Sequence, residues 1–147
     1  MKSKQVRKTT KKTPEQKVIR NKRARFDYEL GDSVLAGVVL NGREAKSLRL
    51  GHGQLQGSYV TIKNGELWLV NASIHGTKGI PIIDTDVTND RKLLVKKREL
   101  ERLITAKQQG QTIIATEILT TGRFIKVRIS LGKGKREYDK RQTLKRR

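Results

Sequence analysis

Asn64-Gly65 stands between two short alternating runs, Ser58 to Lys63 and Glu66 to Val70. An Asn-Gly pair tolerates the positive φ angles of a tight hairpin turn, so this stretch is committed to antiparallel pairing. Other segments carry a related signature. Val34 to Leu40 is rich in β-branched residues and lies between the turn pairs Gly31-Asp32 and Asn41-Gly42, which predicts a buried strand. Thr112 to Leu119 and Arg123 to Leu131 predict a second hairpin across Thr120-Thr121-Gly122. In its return strand Ile125, Val127 and Ile129 alternate with Lys126, Arg128 and Ser130, so Lys126 and Arg128 share one face.

Helical signals are few. Leu100, Leu103, Ile104 and Lys107 recur at helical spacing ahead of Gly110, where a helix should stop, and a shorter helix is expected over Arg43 to Leu50. Ser73 to Asp90 has little periodicity and reads as a long surface loop. Several short strands with one or two helices and no strand-helix-strand alternation predict a mainly β chain. The expected architecture is a small antiparallel barrel of the oligonucleotide-binding type, with flanking short helices and basic disordered termini. Tyr28 and Trp68 are assigned to its core, and Leu94 partly so.

Charge divides the chain into three parts. Residues 1 to 25 hold eleven basic side chains and one acidic; residues 131 to 147 hold eight and two, so the two ends supply sixteen of the twenty net positive charges. Residues 1–17 have too little apolar surface to offset the entropy of ordering and read as a disordered basic arm. The folded body is expected over 18–131 and a basic tail over 132–147. A small domain needs a net charge of only about 2 to 8 for solubility. The +20 here therefore points to a polyanionic partner, because Lys and Arg that neutralise phosphates release condensed counterions.

Candidate reacting groups are sparse. The absence of cysteine excludes disulfides, thiolate nucleophiles and Cys-ligated metal sites. His52 and His75 do not have the spacing of two ligands on one element, and Asp84, Asp86 and Asp90 lack the Gly and Glu of a calcium loop. Gly132-Lys133-Gly134-Lys135 could approach a phosphate closely, a weak signal alone. The expectation is a protein that is not an enzyme and uses no metal or cofactor. The longest apolar run, Val34 to Leu40, falls far short of the ~20 residues of a membrane-spanning helix. No apolar stretch follows the basic start, so a cytoplasmic location is expected.

Five blocks, read together and in order, resemble the SsrA-binding protein (small protein B) family. Asn21-Lys22-Arg23-Ala24-Arg25 with Asp27-Tyr28 is similar to its entry motif, and Gly42-Arg43-Glu44-Ala45-Lys46-Ser47-Leu48-Arg49 to its short helix. Arg91-Lys92-Leu93-Leu94 leading into Arg98-Glu99-Leu100 resembles the next block. Lys126-Val127 follows, and Gly132-Lys133-Gly134-Lys135 with Tyr138-Asp139-Lys140-Arg141 completes the order. Leu35 stands where the family usually has an acidic residue, Phe26 replaces a polar residue, and the family pattern continues beyond the position of Arg147 into a further basic helix.

The resemblance implies a non-enzymatic RNA-binding protein of trans-translation. Such a protein binds the tRNA-like domain of transfer-messenger RNA and delivers it, with elongation factor Tu, to the decoding site of stalled ribosomes. It further implies an RNA-binding surface containing or bordering Asn21, Lys22, Arg23, Arg25, Glu44, Lys46, Arg49, Leu94, Lys126 and Arg128. Lys133, Lys135, Tyr138, Asp139, Lys140 and Arg141 would form a ribosome-directed tail. Glu44 has two readings at this point, an ion pair that orients a nearby Lys or a direct contact to a base or ribose hydroxyl. A ribosomal or initiation-factor-like barrel that binds ribosomal RNA is the alternative function.

Overall fold

The computed structural model describes residues 18–135, and within them the alternating segments become strands. In chain order these are β1 Val18–Arg20, β2 Tyr28–Val38, β3 Gly53–Gln54, β4 Tyr59–Lys63, β5 Glu66–Val70, β6 Ser73–Ile74, β7 Arg91–Leu94, β8 Thr112–Leu119 and β9 Lys126–Gly134. Seven of them form one antiparallel sheet in the order β1-β8-β9-β2-β7-β5-β4, while β3 pairs with β6. The sheet curls until β4, at one end, packs against β8 near the other. The result is the small antiparallel barrel expected from the sequence, with three flanking helices: α1 Ala24–Asp27, α2 Gly42–Arg49 and α3 Lys97–Gln108. No helix among the described residues is long and apolar enough to cross a membrane. The arm 1–17 and the tail residues Tyr138, Asp139, Lys140 and Arg141 lie outside the described residues.

Side-chain alternation supplies the barrel's interior. Val34 and Ala36 of β2, Leu67 and Leu69 of β5, and Val127, Ile129 and Leu131 of β9 all point inward, and Leu48 of α2 and Leu103 of α3 join the same cluster. Each fully buried aliphatic side chain of this kind contributes about 1.5–3 kcal/mol. The first predicted hairpin forms as expected: Asn64 and Gly65 take φ of 52° and 74°, and β4 pairs with β5 from Lys63↔Glu66 out to Tyr59↔Val70. Helix α3 ends where predicted, with Gly110 at φ 91°.

Four expectations change. Gly31-Asp32 is a bulge inside an eleven-residue strand, because Ser130 faces Ser33 while Gly132 faces Leu30. The strand expected over Arg123 to Leu131 runs instead over Lys126–Gly134, its end held by β2 through Lys133↔Glu29 and Gly134↔Tyr28. Trp68 and Tyr28 are half-buried and outside the core cluster. On β5 the inward positions belong to Leu67 and Leu69, so Trp68 lies on the outer face, where Lys63 Nζ sits 5.5 Å from its ring centroid. Finally, the loop from 73 to 90 has internal order: it contains β6, a bridge between Thr77 and Ile80, and a 3-10 turn at Asp84–Asp86.

Gly76 makes the tight path of that loop possible. A Cβ there would lie 2.6 Å from Ile82 N and 2.7 Å from Ile80 O, both backbone atoms. Gly76→Ala is therefore expected to cost about 1–3 kcal/mol, read as a lower urea midpoint with an unchanged m-value.

Candidate nucleic-acid interface

Strand β9 runs through the middle of the sheet, and its outer face carries Lys126 and Arg128 on either side of buried Val127. Lys126 lies opposite Gly37 of β2, which has no side chain to crowd it, and it has no acidic partner among the described residues. Arg128 lies opposite Leu35 and Glu117. Its Nε donates to Glu117 Oε1 at 3.1 Å, and Arg20 Nε approaches the other carboxylate oxygen at 3.5 Å. One carboxylate thus orients two guanidinium groups without cancelling their joint charge. Leu35 places a half-exposed apolar side chain beside Arg128.

Two clefts flank this face. The first, about 450 Å³, is lined by Arg20, Asn21, Lys22, Arg25 and Arg128 over Ser33 and Ser130. Asn21 ties the entry motif to the bulged part of β8. Its backbone N–H donates to Thr116 O at 2.9 Å and its Nδ2 to Ala115 O at 3.0 Å. With Ala24 buried as a peg, Lys22 and Arg25 project outward. Arg23 does not join them. It pairs with Asp27 at 3.2 Å, and its guanidinium carbon lies 4.5 Å from the centroid of Phe26. Phe26 therefore supplies an aromatic face for Arg23. The second cleft, about 410 Å³, has Gly37, Leu94, Arg49, Arg123, Phe124 and Lys126 in its wall.

Not every residue expected on the RNA surface is placed there. Glu44 is 6% exposed and both its oxygens are engaged. Oε1 accepts from Asn41 N–H at 3.1 Å, closing a capping box at the start of α2, while Oε2 accepts from Arg91 Nε at 3.1 Å and Nη2 at 2.9 Å. Neither the Lys partner nor the base contact expected for Glu44 is what the fold provides; it positions α2 through buried Arg91. Arg49 also acts on the protein itself: its guanidinium donates to the carbonyls of Thr120 (2.8 Å), Gly122 (3.0 Å) and Arg123 (3.1 Å). Lys46 is exposed on α2. Leu94, expected to be partly core, is 51% exposed because it ends β7 at the mouth of the second cleft.

Lys133 and Lys135, expected in the tail, belong to the sheet's end: Lys133 is exposed in register with Glu29, and Lys135 N–H donates to Asp27 O at 2.8 Å. Gly132 is packed in the sheet, where an added Cβ would meet Ile114 Cδ1 at 2.8 Å. It serves strand packing and not the phosphate approach considered for the Gly-Lys-Gly-Lys run. Among the described residues no group of three or more His, Asp or Glu side chains is placed to hold a metal ion. Sequence reasoning passes over Arg123 and Phe124. The available signal is a turn glycine followed by an aromatic residue between two basic ones, Gly122-Arg123-Phe124-Ile125-Lys126.

The family model described as SmpB protein matches residues 18–147. The SsrA-binding protein of Streptococcus pyogenes serotype M49 (strain NZ131) is 46% identical over 128 residues, covering 86% of this chain and 83% of the relative. That of serotype M18 (strain MGAS8232) is 45% identical over the same shares. A chain of the solved structure "tmRNA-SmpB: a journey to the center of the bacterial ribosome" superimposes with a TM-score of 0.67 at 36% identity, over 87% of this chain and 94% of that one.

Proposed function

The chain belongs to the SmpB protein family, and from that premise we propose that it binds the tRNA-like domain of transfer-messenger RNA and brings it to stalled ribosomes. The observation that carries the reading is the outer face of β9, where Lys126, without an acidic partner among the described residues, and Glu117-oriented Arg128 lie between two clefts edged with basic side chains. Folded RNA presents phosphates and 2′-hydroxyls to such a surface and exposes its bases mainly in loops. Arg20, Lys22, Arg25, Arg123, Lys126 and Arg128 form the phosphate-facing set. Asn21, Glu44 and Arg49 act through the elements they hold, and Lys46 extends the surface along α2. Leu94 contributes an apolar edge. A ribosomal or initiation-factor-like barrel would share the basic surface but not the family match across 18–147.

The protein acts by binding and carries out no bond-making step of its own. Elongation factor Tu belongs to the delivery complex in this reading, and the cytoplasm is its place of action. The segment that starts near Lys133 and Lys135 and includes Tyr138, Asp139, Lys140 and Arg141 is directed to the ribosome's decoding site.

Filter binding of the purified chain to a transcribed tRNA-like domain, repeated over a salt series, tests the interface. Lys126→Glu is expected to weaken binding and to reduce the magnitude of the log–log salt slope by about 0.7–0.9 for the one phosphate lost. Affinity and slope equal to those of the parent would remove Lys126 from the interface. Failure of the parent chain to bind at low salt would overturn the function.

A further inference from the structure

Phe124 is 70% exposed, more than any other large apolar side chain among the described residues. Its backbone is nevertheless firmly placed. Arg49 donates to three carbonyls of the β8–β9 connection, Gly122 supplies the turn at φ 87°, and Ile125 anchors the next position in the core. A ring this exposed on a braced connection has no packing role within the barrel. Its surroundings indicate what would cover it. Leu94 offers a second apolar wall, Gly37 leaves the floor open, and Arg123 and Lys126 place cations at the rim, with the Arg123 guanidinium carbon 5.9 Å from the Phe124 ring centroid.

Apolar walls with a cationic edge suit a flat heteroaromatic group joined to a phosphate. We propose that Phe124 is a stacking platform for an unpaired nucleobase of the bound RNA and that Arg49 is the positioning residue that presents it. The proposal rests on the RNA-binding reading above and adds a residue and a contact type to it. Phe124 has no hydrogen-bonding group, so the platform selects an unstacked base without selecting which base. The cleft's volume, about 410 Å³, lies within the ~300–1,000 Å³ usual for sites that enclose small ligands. Arg49 matters because stacking is favoured when the backbone that carries the ring is placed in advance. A connection free to move would have to be ordered at the moment of binding.

The test measures affinity for the transcribed tRNA-like domain with the full chain. Phe124→Ala should weaken binding roughly 5- to 150-fold, the range found for loss of one base stack, while the salt slope stays unchanged because no charge is removed. Phe124→Trp should bind within about threefold of the parent, since it keeps a π-face. Arg49→Lys retains the charge but cannot span three carbonyls. It should lose affinity as well, and Arg49→Lys/Phe124→Ala should be little weaker than Phe124→Ala alone, the coupling expected of one shared device. Thermal melting of each variant controls for folding. If Phe124→Ala binds as the parent does while Lys126→Glu weakens binding, stacking is refuted and the RNA-binding function stands. If Phe124→Ala keeps its RNA affinity but loses peptide tagging, the ring serves a ribosomal contact and the proposal is likewise refuted. A parent chain that does not bind the RNA removes both readings together.

Discussion

Arg91→Met is expected to lower the unfolding free energy by about 3–5 kcal/mol, the cost of removing one partner from a buried ion pair. Arg91 is 3% exposed and donates to Glu44 Oε2 twice, to Ala72 O at 2.7 Å, and to Asp86 O and Val87 O at 3.1 Å each. Without it, the Glu44 carboxylate is left buried with only the Asn41 N–H as a donor, Ala72 O loses its side-chain donor, and Asp86 O and Val87 O are left with the backbone N–H groups of Asn89 and Ile74 alone. The effect reaches the interface by a traceable route. Glu44 caps α2, α2 carries Arg49, and Arg49 holds the connection bearing Phe124. Glu44→Met/Arg91→Met should recover part of the loss, since no unpaired charge then remains buried. Urea unfolding of the two single variants and the double variant gives the coupling energy. A cost below ~1 kcal/mol for Arg91→Met, the range typical of exposed pairs, would show that the pair does not organise this region.

Ending the chain after Lys135 is expected to abolish tagging of stalled peptides while leaving the affinity for the tRNA-like domain close to that of the parent. The barrel keeps its described strands, because β9 spans Lys126–Gly134 and the Lys135 N–H bond to Asp27 O is retained. The removed residues contain six basic and two acidic side chains. Some loss of low-salt affinity should therefore appear and vanish as salt is raised, which separates general attraction from specific contact. Tagging in a reconstituted translation reaction and filter binding at two salt concentrations are the paired measurements. Loss of RNA affinity at both concentrations would place part of the RNA-binding surface beyond residue 135. Tagging at the parent's level would refute a ribosome-directed role for that segment.

Features that depend on neighbours in sequence are legible in the order of the residues themselves. Asn64-Gly65 determines a hairpin because its φ angles are local, and Gly110 ends α3 for the same reason. The similarity of Gly42 to Arg49 to a known helix places α2, and the alternation in β9 puts Lys126 and Arg128 outside. What escapes a reading of the sequence depends on partners far apart in the chain. Glu44 and Arg91 are separated by 47 positions, so a carboxylate in a basic helix resembles a surface group. Arg49 reaches carbonyls more than seventy residues away and resembles a phosphate contact. Gly31-Asp32 is ambiguous for another reason, since turns and bulges both recruit Gly and Asp. Trp68 does not belong to the core, and the alternation of Leu67 and Leu69 around it is itself enough to put it on the outer face.

The antiparallel path of β9 has a mechanical meaning. It leaves the barrel from between β8 and β2, with Gly132 paired to both Thr112 and Leu30. Tension on the polypeptide beyond Lys135 meets first the single row to β2 at Lys133 and Gly134, and from Gly132 inward is shared by two rows of backbone bonds, so peeling of the end stops where the strand becomes flanked on both sides. Whatever grips that end is thereby coupled to the centre of the β scaffold, and the load reaches the outer face through the same strand that displays Lys126 and Arg128.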